Sequence, residues 1–313
     1  MSVELLHRLI ETEDSVHLIW EILTQTIWTY EQYLEHGADG YFAVCEQKTS
    51  EIERNINAVY FEIYERIFEQ SLKEQKLKQL LNQDTYCLII FDGLSLREAP
   101  VIANTLAEAG YRVNQSYALA QIPSETEIFT QYVFGFDSPS QMEPKSNLDF
   151  QYYFIPDDSN TEMSFWRNTD KQVFWVRFPD VLLHGKNKGK TQILSYQEIL
   201  QRTLTILKSL LKINAKEIVI TSDHGYINLA PGCFWDLPGS EQKLIGKKFG
   251  WGRSTSTGLS ELESLPNRVK VIPGYASILG RYAWPTKGQA SALNHGGLSF
   301  MEVIVPYLKA RKT

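Results

Sequence analysis

The sequence predicts an α/β protein: a mostly parallel sheet covered by helices on both faces, preceded by an N-terminal helical region. Three observations carry this. The run Tyr86-Cys87-Leu88-Ile89-Ile90-Phe91 is short and continuously apolar, as a strand buried on both faces must be. After it, segments of strand and helix character alternate, the pattern of parallel strands joined by crossover helices. Before it, up to about residue 83, apolar residues recur at three- and four-residue spacing among Glu, Gln and Lys, as on amphipathic helices.

The elements follow in chain order. Helices are expected over 15–35 and 51–83, with a break at His36-Gly37-Ala38-Asp39-Gly40. The change of period places a boundary near residue 84, dividing a helical region, 1–83, from an α/β region, 84–313. A helix over about 96–109 is stopped by Gly110 and leads into an extended segment over 111–118; another helix starts after Pro123. A strand over 172–178, a helix over 196–211 and a strand over 217–221 complete the alternation. Two stretches near 137–171 and 226–267, rich in Pro, Gly, Ser and aromatics, break it and read as cap-like insertions.

Composition excludes several classes. The 313 residues are 43% hydrophobic and 22% charged, which rules out wholesale disorder and fibrous architectures. A net charge of −6 argues against coating nucleic acid or an anionic membrane by bulk charge, although a local basic groove is compatible with it. Cys45, Cys87 and Cys233 are far apart and odd in number, which suits a reducing compartment; with no leader-like start and no membrane-length apolar run, the expectation is a cytoplasmic protein that does not engage a membrane.

Ionisable groups collect where strands end. Phe91 runs into Asp92-Gly93, and Thr221 into Ser222-Asp223-His224-Gly225, so both put candidate ligands at the carboxyl ends of strands, where open α/β sheets bind ligands. Asp92 alone is a turn former, but consecutive Asp223 and His224 at a strand mouth can turn toward one metal. Asp180 and His184 stand one helical turn apart just beyond another strand, and His295 precedes Gly296-Gly297. Of six histidines, His7, His17 and His36 lie in the helical region, whereas His184, His224 and His295 all fall in these candidate segments. In Pro123-Ser124-Glu125-Thr126-Glu127, Ser124 and Glu127 read as a capping box that places Thr126 in the first turn of a helix, where free N–H groups and the dipole favour a phosphate. Gly185-Lys186-Asn187-Lys188-Gly189-Lys190-Thr191 looks like a P-loop but has three residues between its glycines where that motif has four; it reads as a flexible basic loop.

Taken together, Phe91-Asp92-Gly93, Pro123-Ser124-Glu125-Thr126, Thr221-Ser222-Asp223-His224-Gly225-Tyr226 and the segment from His295 to Pro306 resemble the alkaline phosphatase superfamily and, more narrowly, its PglZ domain family. The resemblance spans about 86–308 and implies an alkaline-phosphatase-like fold. It implies that Asp92, Thr126, Asp223 and His224 surround one divalent metal ion while Asp180, His184 and His295 hold a second. Mixed carboxylate and imidazole ligation suits Zn²⁺ first and Mn²⁺ as its substitute. The implied reaction is attack of a metal-bound Thr126 alkoxide on phosphorus, with the second ion stabilising the leaving oxygen and water then cleaving the phosphothreonine. Members of the family occur in phage defence and signalling, which implies a nucleotide or nucleic-acid phosphodiester as substrate; the competing reading is a non-catalytic metal-binding scaffold in a defence complex. Glu125 and Glu127 flank Thr126 and favour a singly charged diester over a monoester dianion, unless Lys186, Lys188 or Arg253 folds over as a substrate-binding cation. The helical region 1–83 carries no candidate ligand and is expected to serve docking to a protein partner or self-association.

Overall fold

A computed structural model describes residues 3–142, 148–156, 169–183, 195–284 and 293–313. Helices α1 (Val3–Glu11), α2 (Ser15–Ile22), α3 (Tyr30–Val59), α4 (Ile63–Leu72) and α5 (Lys76–Leu81) lead into strand β1 (Tyr86–Phe91). Then follow α6 (Ala99–Glu108), β2 (Tyr111–Leu119), α7 (Thr126–Phe134), β3 (Gln151–Ile155), β4 (Lys171–Val176), α8 (Asp180–Leu183), α9 (Tyr196–Leu210) and β5 (Glu217–Thr221). Helix α10 (Gly239–Phe249) lies in an insertion, and Ile304–Lys312 is the last strand of the main sheet, β6.

The six strands run in the order β2-β6-β5-β1-β4-β3. β5, β1, β4 and β3 are mutually parallel, and β6 is antiparallel to both neighbours. The register pairs Ile90 with Trp175 on one side and Thr221 on the other, so β1, β4 and β5 end at one level and their following loops share a rim.

Alternation along the strands sorts the core into two layers. Leu88, Ile90, Val173, Trp175 and Val219 face a cluster with Ile19, Tyr41, Ile56, Ile63 and Ile67 of the N-terminal helices. Ile89, Phe91, Phe174, Val176, Ile218 and Ile220 face Ile102 and Leu106 of α6 and Ile206, Leu207 and Leu210 of α9. Helices therefore cover both faces, as the buried strand pattern requires. The N-terminal helices are one of the two covers.

A buried ionic network fastens that cover. Arg97 Nε donates to Glu46 Oε1 at 2.7 Å, and Arg281 Nη2 lies 2.5 Å from Glu46 Oε2. Glu53, also on α3, accepts from the backbone N–H of Phe300 at 3.1 Å and sits 4.0 Å from Arg281 Nη1. Burial pushes the Glu53 carboxyl up to about 7, against the opposing pull of Arg281. Glu98 accepts from Tyr226 Oη at 2.7 Å.

Some boundaries differ from expectation. The break at 36–40 is a single kink: Gly37 takes φ +64 inside α3, and the chain returns to helix at Ala38. Part of the stretch near 137–171 is a sheet edge: the aromatic and apolar run Gln151–Ile155 pairs in parallel with β4 as β3. The stretch from 226 onward carries structure of its own. There, Ser254–Thr255, Tyr275–Ile278 and Val269–Ile272 form a small antiparallel sheet with its own apolar cluster of Leu237, Ile245, Phe249, Leu262 and Ile278.

Candidate functional site

The rim gathers Asp92 after β1, Asp180 opening α8, Asp223 and His224 after β5, Thr126 opening α7 and His295 in the turn before β6. Backbone groups aim these side chains. Asp223 Oδ1 accepts the N–H groups of Gly93 at 3.1 Å and His224 at 3.0 Å, which leaves Oδ2 for Thr126. Gly225 must lack a side chain, since a Cβ there would lie 2.1 Å from the Met301 carbonyl oxygen; the close approach lets Gly225 N–H donate to the Glu302 carbonyl at 2.8 Å.

Thr126 Oγ1 donates to Asp223 Oδ2 at 2.7 Å and lies 3.4 Å from Asp92 Oδ1 and 3.3 Å from His224 Nε2. His224 Nε2 is 3.7 Å from Asp92 Oδ1 and 3.5 Å from Asp223 Oδ2. The rings of His224 and His295 stack with centroids 3.9 Å apart. His295 Nε2 lies 3.7 Å from Asp180 Oδ1.

The donor set fits divalent metal. Nδ1 of His224 sits 2.9 Å from the Gly225 carbonyl oxygen and Nδ1 of His295 sits 3.0 Å from that of Ser124. A carbonyl only accepts, so Nδ1 carries the proton in both rings and each Nε2 lone pair faces the carboxylates. Two groups of donor atoms result, each lying within 4.8 Å of one another: Asp92, Asp223 and His224, and Asp180, His224 and His295. Burial, then the charges of Asp223 and Asp180, hold the Asp92 carboxyl well above the usual carboxylate range. For His295, burial lowers the ring's proton affinity, but Glu125 and Asp180 outweigh it and the net shift is upward. A cation placed among these groups would relieve the repulsion that raises Asp92. The charge of Arg177 opposes the rise of Asp92 without overcoming it.

Asp92, Thr126, Asp180, Asp223, His224 and His295 are thus brought together. His224 belongs to both donor groups, whereas the sequence assigned it to one. His184, Lys186 and Lys188 lie outside the described residues. Arg253 needs correction: it is buried, its guanidinium bound to Glu302 at 2.8 and 3.1 Å and to the carbonyl oxygens of Tyr282 and Gly280, so it has no free face for substrate. The capping box also fails. Glu125 is the residue before the helix, and the Ser124 hydroxyl instead donates to the Gly297 carbonyl at 2.8 Å and accepts from Gly296 N–H at 3.0 Å. Ser124 holds the His295-Gly296-Gly297 turn, and Glu302 holds it from the other side by accepting from Gly297 N–H at 2.8 Å. Sequence reasoning placed Glu125 beside Thr126 but missed its tie to Ser254, whose hydroxyl donates to Glu125 Oε1 at 2.6 Å, because Ser254 lies 129 positions away.

No protein-family model and no curated protein matches the chain. Among solved structures, murine ectonucleotide pyrophosphatase/phosphodiesterase 5 superposes with a TM-score of 0.46 at 10% identity, covering 73% of this chain and 88% of that one. An inactive form of that murine protein, in complex with AMP, gives 0.44 at 11% over 74% and 88% of the two chains. Phosphonoacetate hydrolase from Sinorhizobium meliloti 1021, in complex with phosphonoacetate, gives 0.39 at 10% over 72% and 90%. No helix among the described residues is long and apolar enough to cross a membrane.

Proposed function

We propose that this chain is a metal-dependent phosphohydrolase of the alkaline phosphatase type, acting on a nucleotide or nucleic-acid phosphodiester with Thr126 as nucleophile. One observation carries the reading: the Thr126 hydroxyl stands at the first turn of α7, 2.7 Å from Asp223 Oδ2 and beside Asp92 and the Nε2 of His224. Asp92, Asp223 and His224 would hold one divalent ion with the Thr126 hydroxyl, and Asp180 and His295 a second, with His184 assigned there by the sequence resemblance. Bound Zn²⁺ or Mn²⁺ would supply the charge that lowers the pKa of the Thr126 hydroxyl and offsets charge on the phosphate oxygens.

The chain's own residues supply the rest. Asp223 Oδ2 accepts the Thr126 hydrogen bond and fixes the Oγ1 direction. N–H groups of the first turn of α7 face an incoming phosphate. Attack by Oγ1 forms a Thr126–phosphorus bond as the ester oxygen leaves with its electron pair; water then breaks that bond and restores the hydroxyl. Exposed Glu127 and half-buried Glu125 beside the nucleophile disfavour a second negative charge on the substrate. Docking through the N-terminal helices, and a place in phage defence or signalling, belong to the same proposal; exposed Leu34, Val59 and Leu72 on those helices support the former.

The test compares kcat/KM on a nitrophenyl monoester and its matched bis-ester with Zn²⁺ or Mn²⁺ supplied, alongside elemental analysis. Diester preference is expected. Monoester preference would overturn the charge argument, and metal binding without hydrolysis of either ester would favour the scaffold reading.

A further inference from the structure

The carboxylate directly before the nucleophile is built into the His295 turn. Glu125 Oε2 lies 3.4 Å from His295 Nδ1, and Oε1 accepts the Ser254 hydroxyl at 2.6 Å. The turn is shaped around it: a Cβ at Gly296, where φ is +102, would lie 2.3 Å from Glu125 Oε1 and 3.3 Å from the Ser254 nitrogen. Ser254 belongs to the small antiparallel sheet, so this carboxylate joins three chain segments at one point. A residue serving only to begin α7 would need none of this, and Glu125 makes no side-chain capping bond.

We propose that Glu125 is a positioning residue. With the Ser124 carbonyl it keeps the proton of His295 on Nδ1, and so keeps the Nε2 lone pair directed at Asp180 and the candidate metal site; Ser254 in turn fixes the carboxylate. The carbonyl of Ser124, 3.0 Å from Nδ1, gives direction, and the Glu125 charge gives strength by stabilising the Nδ1–H tautomer and making Nε2 a better donor. Glu125 need not touch substrate. The consequence for metal affinity rests on the proposed phosphohydrolase reading, whereas the tautomer does not.

The experiment uses the full-length chain with Glu125→Gln, Glu125→Ala and Ser254→Ala, and Glu127→Gln as a charge control on the exposed neighbouring position. Nitrogen-15 NMR of the His295 ring in metal-free protein, at a pH that keeps the ring neutral, reads the tautomer. Competition with a chromophoric chelator reads Zn²⁺ affinity. The wild type should show the Nδ1–H form. Glu125→Ala should shift the tautomer toward a mixture and lower Zn²⁺ affinity roughly 10- to 100-fold, with Glu125→Gln intermediate. Ser254→Ala should cost less, and Glu127→Gln should leave the tautomer alone. An unchanged His295 tautomer in folded Glu125→Ala overturns the proposal, as does an affinity loss in Glu127→Gln equal to that in Glu125→Gln. If the wild type binds no Zn²⁺, the metal reading falls while the tautomer still decides the role of Glu125.

Discussion

Two clusters of buried or half-buried carboxylates lie in this molecule, and they are built on opposite plans. Beneath α3, Glu46, Glu53, Glu98 and Glu302 share the interior with Arg97, Arg253 and Arg281, all of them buried. Each arginine binds carboxylates or backbone carbonyls of the chain itself. At the rim, Asp92, Asp180, Asp223 and Glu125 face two histidines. The first cluster is charge-matched by the sequence: if Glu53, raised to about 7, is counted as protonated, three acids meet three guanidiniums. In the second, burial and acidic neighbours drive the Asp92 pKa up instead. Among the described residues the first cluster is matched by guanidiniums, whereas at the rim only the more weakly acting charge of Arg177 opposes the rise of Asp92, so the proposed cation would supply what the side chains there do not.

The comparison breaks most visibly at Thr126. Thr126→Ala removes the proposed nucleophile while the carboxylate and imidazole donors of Asp92, Asp223 and His224 remain, so kcat should fall by at least about 10³-fold while most of the bound metal is kept and thermal stability stays near wild type. Residual activity within about tenfold of wild type would defeat the covalent route.

Arg97→Ala attacks the other cluster. It strips Glu46 of one buried partner and removes the bond to the Tyr226 carbonyl at 2.7 Å, so unfolding free energy should drop by about 3–5 kcal/mol with or without metal. Denaturant melts in chelator and in Zn²⁺ read this directly; a loss seen only without metal would mean that the two clusters are coupled.

How much of this was legible in the sequence divides along the same line. The rim was readable because its residues sit beside strand ends and glycines, where Asp92-Gly93 and Asp223-His224-Gly225 announce themselves locally, and the strand 217–221 is found where the pattern put it. The arginine network was not. Glu46 meets Arg97 across 51 positions and Arg281 across 235, and no local period encodes such a pairing. For the same reason Arg253 read as an available cation, when Glu302, 49 positions away, occupies it. Ser124 and Glu127 had capping-box spacing, but the Ser124 hydroxyl is claimed by a turn 173 positions on, a tertiary demand that outweighs the local motif.

Glu53 sharpens the contrast through pH. Its carboxyl is raised from 4.5 to about 7 in the folded chain, chiefly by burial, so the folded state holds the proton more tightly than the unfolded one. Its contribution to stability is therefore fully present below pH 4.5 and is lost as pH rises through about 7. Relative to Glu53→Gln, whose amide cannot titrate, the wild type should lose about 3 kcal/mol across that window. Parallel melts from pH 4 to 8 check it, and a constant difference between the two proteins would show that Arg281 keeps Glu53 ionised throughout.

The smallest expected effect is the most discriminating, because its sign depends on the cation. In chelator, Asp92→Asn removes a carboxylate that repels Asp223 and Asp180, so the metal-free protein should gain stability, on the order of 1 kcal/mol or a few degrees in Tm. Since the Asp92 pKa is already raised, some of the repulsion is relieved by protonation, and the gain should grow with pH as that proton is lost. With Zn²⁺ in excess the order should reverse: the wild type is stabilised by binding in proportion to ln(1 + [Zn²⁺]/Kd), and the variant, lacking a charged ligand, gains less. Glu46→Gln in the other cluster removes a charge that Arg97 and Arg281 need, so it should destabilise in chelator and in Zn²⁺ alike. If Asp92→Asn destabilised the protein equally under both conditions, the rim carboxylates would be structural in the same sense as Glu46, and the argument that they wait for a metal would lose its footing.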